Sequence, residues 1–300
     1  MFRKAKEVID ECEARGLHIK DLVLEEELKS SQINKDDILY NLTEMFKVME
    51  ESAQGNLNHE TKTAMGMIDG FAKKMNTYSK EGKSITGDFI TEAMAMAFST
   101  LEISAAMGEI VASPTAGSSG ILPAILFSLK KREGFSDEKM VDAMLTAIGV
   151  GKIIGYYGSF AGAEGGCQAE TGSGAAMGAA AACYLYDQSP EVCFHAASFA
   201  FLHVLGLVCD PIAGLVEYPC TFRNASGVVN AFISADMAMA GITSVVPFDE
   251  VCKAAGDVGV TLPESLRETG IGGIAGTETG RKIRERFFAL GDNSAKQDQE

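Results

Sequence analysis

Apolar residues recur at intervals of three and four along most of the chain, and few stretches alternate with the period of two that a half-buried strand requires. Over residues 1–55, "DECEARGLHIKDLVLEEELKSSQINKDDILYNLTEMFKVMEES" keeps the helical spacing on a strongly charged background. It predicts solvated helices, with "SQINKDD" supplying polar caps before a helix over Ile38–Glu51. "SAQGNLN" is a loop, and "HETKTAMGMIDGFAKKMNTYSKEG" reads as a helix ending at Gly82. A long helix starts near Thr86–Asp88, and another follows from Ser119 to Lys131. Ser136 caps the next, which runs through "GVGKIIGYYG". An Ala-rich helix follows Cys167, Pro190 opens another, and "NASGVVNAFISADMAMAGI" and "PFDEVCKAAGDVG" continue the pattern. The expected fold is all-α: an N-terminal helical arm over 1–55, one helical catalytic domain over 56–290, and a disordered tail over 291–300.

Composition narrows the partners. Apolar residues make up 46% of 300, enough for a substantial core, and the formal net charge of −15 disfavours nucleic acid and anionic membranes. The longest charge-free apolar run, Val192 to Cys209, is interrupted by two His and a Ser and reads as a buried helix rather than a membrane span. The N-terminal residues show no signal-peptide core, so the expectation is a soluble, cytoplasmic protein.

Seven cysteines and no Cys-x-x-Cys pair argue against a disulfide framework and against a common zinc ribbon. Cys12, Cys183, Cys193 and Cys252 sit inside helical patterns, where buried free thiols are ordinary. The other three differ. Cys167 follows the Gly-rich "AGAEGG", and Cys209 and Cys220 bracket "DPIAGLVEYP", whose prolines stiffen it. These are either buried thiols or three thiolates gathered on a soft metal or a cluster.

The stretches "GAEGGCQAETG", "LGLVCDPIAGLVEYPCTFRNA", "ASPTAGSSGILPA" and "ESLRETGIGGIAGTETG" closely resemble the α subunit of iron–sulfur-dependent L-serine dehydratases, and the similarity covers nearly the whole chain. The resemblance implies a helical catalytic domain in which Cys167, Cys209 and Cys220 hold a [4Fe-4S] cluster with one open iron. It implies β-elimination of serine to pyruvate and ammonia, with that iron acting as a Lewis acid on the hydroxyl. Because two-subunit members keep a His-bearing segment on a separate β chain, a β subunit is the expected partner. The rival readings are a related lyase acting on L-cysteine or a bulkier β-hydroxy amino acid, and a non-catalytic thiol protein.

Within that frame, the small-residue loop Ser113–Gly120 ahead of a helix is the candidate anion site, with Thr115, Gly117, Ser118 and Ser119 on the substrate carboxylate. Arg223 and Asn224, beside the third cysteine, join the substrate-binding candidates, although an ion pair of Arg223 with Asp210 or Glu217 is an equal expectation. For catalysis the candidates are Lys152, the one charge in a long apolar stretch, which burial would give a lowered pKa although a snorkelling lysine fits equally well, together with Glu164 and His59, the last at a loop–helix junction where simple exposure is the alternative. His203, in an apolar run, reads as a hydrogen-bonded core residue. Glu164, Gln168 and Glu170 are placed either to take the amino group or to support the cluster. Met65, Ile68, Asp69, Phe71, Ser104 and Tyr157 stand where the family usually shows other residues.

Overall fold

The computed structural model describes the backbone of residues 2–297 and the side chains of 2–289. Thirteen α-helices follow one another among the described residues. They are α1 Ala5–Arg15, α2 Ile19–Ser30, α3 Lys35–Gln54, α4 Phe71–Lys80, α5 Asp88–Ala105, α6 Ile121–Glu133 and α7 Asp137–Tyr157. Then come the single turn α8 Gly162–Gly165, α9 Ser173–Leu185, α10 Pro190–Leu202, α11 Cys220–Met239, α12 Phe248–Thr261 and α13 Glu278–Gln297. No sheet forms among them, only an isolated bridge between Cys209 and Arg267. The fold is all-α, as the spacing predicts.

The Ala-rich α9 lies at the centre. Every residue of it except Tyr184 is buried, the signature of a helix with no solvent face. Helices α6, α7, α10 and α11 pack around it. Small side chains let these neighbours approach closely, and Ile121, Ile125, Val150, Phe201 and Val228 fill the remaining space.

The first 55 residues do not stand apart as an arm. Val8, Cys12, Ile19, Leu22, Phe46 and Met49 are buried in the same core as α9. Phe46 of α3 stacks on Phe127 of α6 at 4.8 Å between ring centroids. The charged background of this stretch covers only the outward faces of its helices. The 291–300 segment, expected to be disordered, continues α13 as far as Gln297; residues 298–300 lie outside the described residues.

Local structure departs from the sequence pattern most clearly over residues 60–70. A helix is expected from His59, yet helix begins only at Phe71. Glu217, remote in sequence, and Asp69, within the stretch itself, take the amides that a helix would need. Glu217 accepts from Met65 N at 2.7 Å, Met67 N at 3.1 Å and Thr63 Oγ1 at 3.0 Å. Asp69 accepts from Thr63 N at 2.9 Å.

The start of α4 has no cap of its own. Glu102 of α5 supplies one, accepting from Ala72 N at 2.8 Å and from Asn56 Nδ2 at 3.1 Å. Burial raises the Glu102 carboxyl from its ordinary 4.5 to about 7, and the bonds from Ala72 and Asn56 offset this only in part. Between those two values the folded chain keeps a proton that the unfolded chain has released. Stability therefore declines as pH rises through that window. Urea unfolding of wild type at pH 5 and pH 7.5 is expected to show this loss, on the order of 1–3 kcal/mol. Glu102→Gln should shrink the difference between the two pH values.

Candidate active site

Three chain segments come together around the cysteines. The first leads from α8 into Cys167 and a π-helical turn, Gln168–Gly172, which carries Glu170 and Thr171. The second holds Cys209 and Asp210. The third is the N-terminal turn of α11, which begins at Cys220 itself and follows the stiffened segment. The backbone of Cys209 is clamped by the C-terminal part of the chain: Cys209 N donates to Leu266 O at 2.9 Å, and Glu268 N donates to Cys209 O at 2.7 Å.

All three thiols are buried and free. Burial pushes each of them up, Cys167 to about 11. Besides burial, Cys209 feels Glu170, Cys167 and Cys220, and Cys220 feels Cys167 and Glu170. The three sulfurs therefore share one electrostatic neighbourhood, although 53 residues separate Cys167 from Cys220 (220 − 167). The Arg223 guanidinium, one turn along α11, acts against burial to lower Cys167.

The surroundings fit a group larger than the thiols. Arg223 Nη1 and Thr221 Oγ1 are buried with no hydrogen-bond partner, a costly arrangement unless another group meets them. Gly162 lies against Cys209, where a Cβ would sit 2.7 Å from the sulfur and 2.8 Å from Glu170 Oε2. Among the described residues, no three His, Cys, Asp or Glu side chains converge as a single ion requires. A four-iron cluster demands something else, since each thiolate takes its own iron and the sulfurs stay apart.

Charged groups frame the thiols. Arg223 Nη2 donates to Asp210 Oδ1 at 2.5 Å, and Asp210 Oδ2 accepts from Ile274 N at 2.7 Å. Of the two pairings open to Arg223 in the sequence, the structure forms the one with Asp210, while Glu217 holds the 63–67 loop. Glu170 is buried beside Cys209, its Oε2 3.8 Å from the sulfur, and Thr115 Oγ1 donates to its Oε1 at 2.8 Å. Burial raises the Glu170 carboxyl to about 7, with the Thr115 bond opposing the shift.

The Ser113–Gly120 loop reaches this place; Ser113 Oγ is buried with no hydrogen-bond partner, while the other three hydroxyls are engaged within the chain. Thr115 donates to Glu170, Ser119 Oγ donates to Ala116 O at 2.8 Å, and Ser118 Oγ lies 3.1 Å from Thr115 Oγ1. The backbone at Gly117 presses on Glu170, where a Cβ would meet Oε1 at 2.6 Å. Asn224 ties the loop to α11. Its Nδ2 donates to Gly117 O at 2.7 Å and Cys220 O at 2.9 Å, and its Oδ1 accepts from Gly120 N at 3.0 Å. Asn224 thus positions the loop, and both its amide N–H groups are already used.

The catalytic candidates from sequence lie elsewhere. Lys152 bonds Glu26 at 3.0 Å and Glu27 at 2.6 Å on α2. Burial works to lower its pKa, but those two carboxylates outweigh it and the net shift is upward, opposite to the expectation. His59 is exposed in the turn after α3. Glu164 is exposed and lines a cavity of about 270 Å³ with Tyr157, Gln168 and Cys252. His203 is exposed at the end of α10 rather than in the core. Its Nδ1 lies 2.6 Å from Asn230 Oδ1, and it lines a cavity of about 440 Å³ with Thr171, Arg223 and Ser226. Among the departures from the family pattern, Ile68 is buried and Phe71 packs on Phe98 and Phe222. The sequence marks Asp210 only as a partner open to Arg223 and does not mark Glu268 as a site residue, since neither carries a local sign beyond its place in the motifs.

Comparison with known proteins follows this geometry. The family described as serine dehydratase alpha chain matches residues 14–275. The L-serine dehydratase alpha chain of Peptoniphilus asaccharolyticus is 56% identical over 292 residues, covering 97% of this chain and 100% of that one. A probable L-serine dehydratase alpha chain of Bacillus subtilis (strain 168) is 43% identical over 293 residues, 97% of each chain. The L-serine dehydratase TdcG of Escherichia coli (strain K12) is 32% identical over 285 residues, 91% of this chain and 61% of that longer one.

Proposed function

The chain belongs to the serine dehydratase alpha chain family, and on that premise we propose that it is the α chain of an L-serine dehydratase, a lyase that converts L-serine to pyruvate and ammonia. A separate β chain completes the enzyme, and Cys167, Cys209 and Cys220 hold a [4Fe-4S] cluster. The observation that carries this reading is the meeting of three buried thiols from three chain segments beside Arg223 and Glu170. The cluster supplies, when bound, a Lewis-acidic iron for the departing hydroxyl.

The chain's own residues do the rest. Arg223, with one N–H group unbonded, is placed to take the substrate carboxylate. Asp210 fixes the guanidinium plane through the other nitrogen. Asn224 and Glu170 hold the Thr115–Ser119 loop over the thiols, as a wall rather than as a set of free hydroxyl donors. Gly162 keeps the space beside Cys209 clear. Loss of the Cα proton and of the hydroxyl leaves 2-aminoacrylate, which tautomerises to an imine and hydrolyses to the two products.

Among the described residues no helix is long and apolar enough to cross a membrane. The test is purification without oxygen, together with the β chain, followed by an iron count and a substrate panel. Pyruvate and ammonia from L-serine are expected. No iron bound, or sulfide from L-cysteine with L-serine untouched, would overturn the assignment.

A further inference from the structure

Glu170 is a carboxylate held inside the protein with less to hold onto than its position demands. It is 7% exposed. Its Oε1 accepts one bond, from Thr115 at 2.8 Å, and its Oε2 has only the Cys209 thiol, at 3.8 Å. Among the described residues no basic side chain bonds it; Arg223 acts on it from a distance while pairing with Asp210. A carboxylate has about four acceptor sites, and a buried one is stabilised chiefly by a cation or by several donors.

The carboxylate is also fixed. Gly162 and Gly117 flank it so closely that a Cβ at either position would lie 2.8 and 2.6 Å from its oxygens. Two opposite charges thus frame the same three thiols, each with unused bonding capacity: the guanidinium through Nη1 and the carboxylate through Oε2. An α-amino acid carries the matching pair of charges on one carbon.

We propose that Glu170 recognises the substrate ammonium group and, opposite Arg223, restricts the site to α-amino acids over hydroxy acids of the same size. This rests on the serine dehydratase reading. The ammonium donates to Glu170 Oε2 while the carboxylate lies on Arg223, which leaves the β-hydroxyl directed at the space between the thiols. Thr115 is then a positioning residue, holding the other carboxylate oxygen.

The test uses the iron-loaded enzyme with its β chain. KM for L-serine is compared with Ki for 3-hydroxypropionate, which is serine without its amino group. In Glu170→Gln, KM is expected to rise about 30-fold, or about 2 kcal/mol, with Ki moving less than threefold and iron content unchanged. Glu170→Asp, which keeps the charge, should recover part of the loss. The proposal is overturned if KM moves less than threefold or if KM and Ki rise together. It also falls if both variants lose iron, since Glu170 would then only support Cys209. Should Glu170→Gln alone lose iron, Glu170→Asp decides: a KM for L-serine that rises more than Ki supports the proposal, and a KM that rises no more than Ki sinks it. A wild-type enzyme with full iron and no serine turnover would defeat the underlying reading first, independently of any variant.

Discussion

Cys209→Ser is expected to lose most of its iron and its broad visible absorbance, with serine turnover falling by about 10³-fold or more. Thiolate is the ligand that iron–sulfur clusters require, and a buried serine hydroxyl is far harder to ionise. The unloaded protein should remain folded. The Cys209 sulfur makes no short hydrogen bond, and its backbone is held by Leu266 and Glu268 irrespective of the side chain. The metal-free variant should therefore unfold with a loss of about 1–3 kcal/mol against metal-free wild type, the cost of burying a poorly bonded hydroxyl. Cys167→Ser and Cys220→Ser are expected to behave alike. A Cys209→Ser protein that keeps its iron and its turnover would remove this cysteine from the ligand set.

Arg223→Met is expected to lower kcat/KM for L-serine by about 10²-fold, close to what one charge-assisted anchor contributes. It should also destabilise the fold by about 3–5 kcal/mol, since Asp210 would remain buried without its cation. These two effects have different origins and can be separated. In Arg223→Met/Asp210→Asn the orphaned charge is gone, so urea unfolding should regain most of the lost stability. Turnover should stay low, because nothing replaces the guanidinium at the substrate carboxylate. If turnover returns along with stability, Arg223 is only a strut for Asp210.

What the sequence could show depended on how local the cause was. The cap at Ser136, Pro190 at a helix start and the apolar rhythm of α5 and α7 are properties of neighbouring residues, and those helices form where the pattern predicts, whereas the buried helix expected over Val192–Cys209 stops at Leu202. Residues 60–70 carry no such local sign, because the group that unwinds them, Glu217, is about 150 positions away. Lys152 misled for a related reason. Alone in an apolar stretch it looks poised to lose its proton, and only packing reveals that Glu26 and Glu27 of α2 face it. The hydroxyls of Thr115, Ser118 and Ser119 have the right chemistry for anion binding in a linear string; folded, they are already engaged. The convergence of the cysteines was likewise invisible to spacing, which left buried thiols and cluster ligands equally open. The family resemblance carried that expectation, and the fold places the three in one neighbourhood.

The bridge between Cys209 and Arg267 makes the middle of the site depend on residues far downstream. Leu266 and Glu268 pin the Cys209 backbone and Ile274 pins the Asp210 carboxylate, so a chain cut before Leu266 keeps all three cysteines and loses those three bonds.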